Sequence, residues 1–173
     1  MVAPERTNVV LIGMPGSGKS TVGVLLAKRS ARGFVDTDLL IQTATGQTLQ
    51  EIVDRSGYQT LRKVEERELL QIELARHVIA TGGSAVYSDA AMQHLRRSGV
   101  IVFLDVSLAT VEARIGDFSL RGISKRADQS IQALFHERGR LYRQYADIIV
   151  SADTLDQEQT CDHILAAIRQ RAG

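Results

Sequence analysis

The chain has 173 residues, 44% of them hydrophobic and 24% charged, with a formal net charge of +1 and a single cysteine; these figures describe one globular domain spanning residues 1–173, large enough to bury roughly 70% of its unfolded surface. With 21 basic residues against 20 acidic ones, it lacks the cationic excess by which nucleic-acid-coating proteins release counterions, and no apolar run approaches the ~20 residues a membrane-spanning helix needs. Cys161 has no partner for an internal disulfide, the histidines at 77, 94, 136 and 163 lack metal-ligand spacing, and Met1–Arg6 carries no signal-type apolar region, so a cytosolic protein without structural zinc is expected.

Short runs rich in β-branched residues alternate with longer helical ones, which predicts an α/β fold of three layers with a parallel sheet between helices. In chain order, the strand candidates are Asn8–Ile12, Gly33–Val35, Val78–Thr81, Val100–Leu104 and Ile148–Val150. Helices are expected over Lys19–Ala31, part of Leu39–Arg55, Gln59–Arg76, Ala90–Arg97, Leu108–Ile115 and Gln129–Tyr145. A last helix, Glu158–Arg171, sets Cys161, Ile164, Leu165 and Ile168 along one stripe suited to docking on a core. Ligands of open parallel sheets bind at the carboxyl ends of the strands, so the segments after each strand are where chemistry is sought.

After the first strand, Gly13-Met14-Pro15-Gly16-Ser17-Gly18-Lys19-Ser20 matches G-x-x-x-x-G-K-[ST] and runs into a helix that includes Thr21. Glycines let backbone N–H groups converge on a phosphate, and the helix dipole adds partial positive charge there. Lys19 is expected on the β- and γ-phosphates, and Ser20 on Mg²⁺. No N/T-K-x-D segment follows a later strand, which argues against a guanine-specific switch, and Asp54-Arg55-Ser56-Gly57 reads as a turn. A small-molecule phosphotransferase using a nucleoside triphosphate is the favoured class.

The second strand leads into Asp36-Thr37-Asp38. On an extended segment, side chains two apart face one way, so both carboxylates would point into one cleft beside the phosphate loop, Asp36 suited to a metal and Asp38 to orienting and deprotonating a hydroxyl. The alternative is an Asp pair capping a helix.

Asp36-Thr37-Asp38-Leu39-Leu40-Ile41, Thr45-Gly46-Gln47-Thr48-Leu49-Gln50-Glu51-Ile52, Gly57, Leu61-Arg62-x-x-Glu65, Thr81-Gly82-Gly83, Arg121 and Arg138-x-x-Leu141-Tyr142 follow one another in an order that resembles the shikimate kinases over nearly the whole chain. The resemblance implies a phosphate-loop kinase fold with a five-stranded parallel sheet, a substrate-binding region over about 36–65 and a lid over about 116–127. It implies ATP-dependent phosphorylation of the shikimate 3-hydroxyl on the way to chorismate, with ATP and Mg²⁺ as cofactors. Arg62 and Arg138 resemble the pair that grips the shikimate carboxylate, Asp38 the residue at the ring hydroxyls, and Gly82-Gly83 the backbone contact beside it. Read alone, Arg62 also suits a helix-surface ion pair with Glu65 or Glu66, worth only about 0.3–0.5 kcal/mol, a pairing in which Glu65 would also orient it; Arg138 also suits a solvated basic face with Arg140 and Arg143. Arg121 resembles the lid arginine that stabilises the transferring phosphoryl group, and Arg114 a residue packing near the adenine. The nucleotide set is therefore Gly16, Ser17, Gly18, Lys19, Ser20, Thr21, Arg114 and Arg121, with Ser20 and Asp36 at the metal.

Leu61, Ser84, Gly122 and Arg140 depart from the family's usual phenylalanine, glycine, proline and proline, and all four lie near the expected site. Gly122 should loosen the lid, because proline would fix φ. A kinase for another hydroxy acid such as gluconate, or a non-catalytic ATP-binding module, are the competing readings. From Arg114 to Arg143 seven Lys or Arg face three Asp or Glu, so the balanced total conceals a cationic lid and clamp suited to small anions. No segment presents an unexplained apolar stripe, and a monomer is expected.

Overall fold

The computed structural model describes residues 6–117 and 122–172. Five strands form one parallel sheet in the order β2-β3-β1-β4-β5: β1 Asn8–Ile12, β2 Gly33–Asp36, β3 His77–Ala80, β4 Gly99–Asp105 and β5 Ile148–Ser151. Parallel neighbours need crossovers, and the helices that supply them cover both faces, which is why β1 and most of β4 are apolar without alternation. One layer of core packs Val10, Ile12, Ile79, Ile101 and Phe103 against Met92, Leu95, Leu134 and Tyr142; the other packs Val9, Leu11, Val102 and Leu104 against Val22, Leu26, Cys161 and Ile164. Among the described residues, no helix is long and apolar enough to cross a membrane.

The helices are α1 Lys19–Arg29, α2 Thr37–Thr45, α3 Leu49–Ser56, α4 Tyr58–Leu70, α5 Asp89–Ser98, α6 Leu108–Ile115, α7 Ile131–Tyr145 and α8 Gln157–Ala172, with a 3-10 turn at Ala85–Tyr87. Helix α3 begins with a capping box, Thr48 accepting from the Glu51 N–H while the Glu51 carboxylate accepts from the Thr48 N–H. The last stripe docks as expected, with Cys161 and Ile164 fully buried and Leu165 and Ile168 packed beside them.

Strand β3 lies between β2 and β1. Two expectations need correction. The helix expected over Gln59–Arg76 ends at Leu70, and the chain then turns through Arg76, which sits at φ 58°, to enter β3. Asp54, Arg55 and Ser56 form the last turn of α3 rather than a free turn, and Gly57, at φ 82°, breaks that helix from α4.

Candidate active site

The phosphate loop runs from the end of β1 to α1, and Gly18 enters the helix in the left-handed conformation at φ 96° that a side chain resists. The Lys19 ammonium is buried and donates to the carbonyls of Gly13 and Met14, both at 2.8 Å. Burial pulls its pKa down to about 8, and neighbouring Arg138 acts in the same direction, while Asp38, Asp36 and Glu65 oppose it. Gly16, Ser17, Gly18, Thr21 and Arg114 line one cleft together with Ala152, Leu155, Asp156 and Thr160, and Arg114 donates to the Gly16 carbonyl at 3.1 Å. The far wall of that cleft, after β5, was missed by sequence reasoning: it carries no glycine-rich motif.

Asp36 and Asp38 are not two side chains of one extended segment. Asp36 ends β2 and caps α2, accepting from the Asp38 N–H at 3.0 Å, while Asp38 already belongs to the first helical turn. The capping reading therefore holds for Asp36. The second oxygen of Asp36 accepts from the Ser20 hydroxyl at 2.5 Å, which joins the end of β2 to the start of α1 across the intervening strand. These are hard oxygen donors of the kind Mg²⁺ takes alongside phosphates and water. Two such donors, Ser20 and Asp36, fit an ion carried largely by a nucleotide.

Asp38 lines a cavity with Lys19, Ile41, Leu49, Leu61, Glu65 and Arg138, and Gly82, Gly83 and Ser84 form its floor. Burial and neighbouring Asp36 raise its pKa to about 6, against the pull of Lys19. Glu65, reaching in from α4, is fully buried and pushed up to about 7, chiefly by desolvation. Its Oε2 accepts from the Ser84 hydroxyl, and its Oε1 is buried without a partner among the described residues. Glycine at 82 is demanded by this crowding: a Cβ there would fall 2.3 Å from Glu65 Oε1 and 2.8 Å from Asp38 Oδ1. At Gly83 a Cβ would fall 2.6 Å from the Arg138 guanidinium. Thr37 accepts from the Gly82 N–H at 3.0 Å, and Tyr142, stacked on Phe103, donates to the Gly83 carbonyl at 2.6 Å, so the floor is tied from both sides.

Arg138 is 1% exposed, which removes the solvated-face alternative. Its guanidinium donates to the Ser124 carbonyl at 2.7 Å, and Arg62 donates to the same carbonyl at 3.2 Å and to the Ser124 hydroxyl at 2.9 Å. The two arginines thus converge on one residue at the root of the lid region, although Arg62 lines an adjoining recess with Tyr87 and Ser88 rather than the cavity of Asp38. The helix-surface pair with Glu65 or Glu66 does not form: Arg62 lies on the Tyr87 ring, and Glu65 turns to Ser84. Arg121 lies outside the described residues. Beyond it, Gly122 sits at φ 57° and donates to the Gln50 side chain at 2.6 Å, and a Cβ there would lie 2.6 Å from the Gln50 nitrogen. Gly122 therefore seats this segment against α3, a conformation closed to proline.

A family model described as shikimate kinase matches residues 15–169. A shikimate kinase 2 from Enterobacter sp. (strain 638) is 34% identical over 166 residues, covering 93% of this chain and 95% of the relative. A shikimate kinase from Gloeobacter violaceus is 40% identical over 152 residues, covering 86% and 85%. Among solved structures, a shikimate kinase from Acinetobacter baumannii in complex with shikimate superposes with a TM-score of 0.84 at 27% identity, covering 95% of this chain and 94% of the other.

Proposed function

The chain belongs to the shikimate kinase family, and we propose that it moves the γ-phosphoryl group of ATP to the 3-hydroxyl of shikimate, giving shikimate 3-phosphate and ADP. The observation that carries this reading is the convergence of Lys19, Asp38 and Arg138 on one cavity that adjoins the phosphate loop. Phosphoryl transfer needs positioning and charge stabilisation more than covalent help, and each named residue has such a task.

Gly16, Ser17, Gly18 and Thr21 hold the triphosphate with loop N–H groups, Lys19 neutralises its terminal phosphates, and Arg114 borders the adenine. Ser20 and Asp36 would hold Mg²⁺, which would supply positive charge to offset the negative charge developing in the transfer. Asp38 accepts the hydroxyl proton; its raised pKa, about 6, makes it a better base than an ordinary carboxylate while leaving it largely ionised at neutral pH. Arg62 and Arg138 take the carboxylate, the kind of planar anion a guanidinium fork matches, and Gly82 and Gly83 offer backbone to the ring hydroxyls. Arg121 supplies positive charge from the lid, residues 116–127, which excludes water that would otherwise take the phosphoryl group. Residues 36–65 form the substrate-binding region, the product feeds synthesis of chorismate and the aromatic amino acids, and the enzyme works as a cytosolic monomer.

The test follows ADP release by purified protein with Mg-ATP and, separately, shikimate, quinate, gluconate or no acceptor. Shikimate raises turnover well above the no-acceptor rate; stimulation by gluconate alone would transfer the assignment to the competing kinase class, and stimulation by none would favour a binding module.

A further inference from the structure

We propose that Tyr87 is a positioning residue for the carboxylate clamp, its ring serving as a shared platform that holds the Arg62 and Arg138 guanidiniums together. The proposal rests on the reading of those arginines as the grip on the acceptor. Arg62 Cζ lies 3.5 Å from the centroid of the Tyr87 ring, and Arg138 Cζ lies 5.6 Å from the same centroid. Tyr58 faces Arg62 from farther off, at 5.0 Å. One guanidinium comes from α4 and the other from α7, so without a common platform their spacing would vary with the packing of two helices.

The platform is itself fixed. Tyr87 ends the 3-10 turn that follows the cavity floor, and the two residues before it, Ala85 and Val86, are buried at 2% and 1% exposure. Its hydroxyl donates to the Glu137 carboxylate, which also accepts from Gln129 at 3.1 Å and lies 3.6 Å from Arg126. The ring is thus anchored at its backbone by the core and at its tip by α7.

Two like charges sharing the Ser124 carbonyl repel one another, and something must offset that repulsion before an anion arrives. A carboxylate partner would do so by neutralising the charge the acceptor is meant to meet. An aromatic face attracts guanidinium through its quadrupole and leaves the net charge intact. It also keeps the in-plane N–H groups of a stacked guanidinium clear of the ring, so that those now donating to Ser124 can turn to paired bonds with a carboxylate.

The test compares full-length Tyr87→Leu and Tyr87→Phe with the unsubstituted chain, using shikimate and its uncharged methyl ester at saturating Mg-ATP. Tyr87→Leu should raise the KM for shikimate about ten-fold, leave kcat and the KM for ATP within about two-fold, and narrow the preference for shikimate over the ester. Tyr87→Phe, which keeps the ring, should retain that preference to within about three-fold. An unchanged shikimate KM in Tyr87→Leu, an equal loss for acid and ester, or loss of the preference in Tyr87→Phe overturns the proposal. Absence of shikimate-dependent turnover in the unsubstituted chain overturns the functional reading and the proposal with it, and is told apart by that first control.

Discussion

The Ser84 hydroxyl donates to Glu65 Oε2, and through that bond a residue of the cavity floor sets the orientation of a fully buried carboxylate on α4. Gly82, where a Cβ has no room, lets Glu65 Oε1 and Asp38 Oδ1 approach each other's side of the cavity. Ser84 stabilises the ionised form of Glu65, opposing the burial that raises its pKa to about 7. A hydrogen bond to a charged group is worth about 1.5–3 kcal/mol, so Ser84→Ala should raise the pKa of Glu65 further, by on the order of one unit. Ser84→Thr, retaining the hydroxyl, should leave it in place; a carboxyl-carbon NMR titration of the three proteins checks both.

The pH window of the free enzyme follows from two groups with opposite requirements. In the proposed reaction Asp38 must be ionised to accept a proton, and its pKa is raised to about 6; Lys19 must be protonated, and its pKa is lowered to about 8. The kcat/KM profile for shikimate should therefore be bell-shaped between about 6 and about 8. Asp38→Asn should lower kcat by roughly 10²–10⁴ with little change in ATP affinity, the range for losing a general base.

Stability should show the same groups with the sign reversed from an ordinary carboxylate. Glu65 binds its proton more tightly folded than unfolded, since its pKa rises from 4.5 to about 7. Between those values the folded state holds more protons, so this contribution is fully present below 4.5 and is lost as pH rises through about 7. Glu65→Gln removes the penalty while keeping an acceptor for Ser84. Thermal melts at pH 5 and pH 8 should show the variant gaining Tm relative to the unsubstituted chain only at the higher pH.

Arg62→Ala and Arg138→Ala should each raise the shikimate KM by roughly 10- to 100-fold, the loss of one or more charge-assisted bonds. Arg138→Ala should also cost more stability than Arg62→Ala, because the Arg138 side chain fills fully buried space whereas Arg62 is partly exposed. Melting curves beside the kinetics separate the two effects.

Gly122→Pro should weaken rather than rigidify the lid root. It removes the N–H that Gln50 accepts at 2.6 Å and forbids φ 57°. Combined loss of about 1–3 kcal/mol is expected, read as a lower Tm and faster proteolysis near residue 122.

Strands and phosphate loop were legible because their signals are local: β-branched runs, and a glycine-rich turn whose residue types perform one task. The acceptor side was legible only as a set of residue types. That Asp38 begins a helix, that Glu65 turns to Ser84 and not to Arg62, and that Tyr87 lies under the clamp all depend on how α2, α4 and the 3-10 turn pack together. Periodicity assigns a side chain to a face; it does not choose among neighbours on other elements. Gly122 misled for the same reason, since its backbone is set by a contact with Gln50 far back in the chain.

The central claim is tested most directly by following the γ-phosphoryl group itself. The protein is incubated with Mg-ATP labelled at the γ-phosphorus and with shikimate, and the product is examined by phosphorus–proton correlation NMR. The account predicts label on the oxygen at ring carbon 3, with ADP formed in equal amount. Label recovered as inorganic phosphate at the rate seen without acceptor, or on a different hydroxyl, would contradict it.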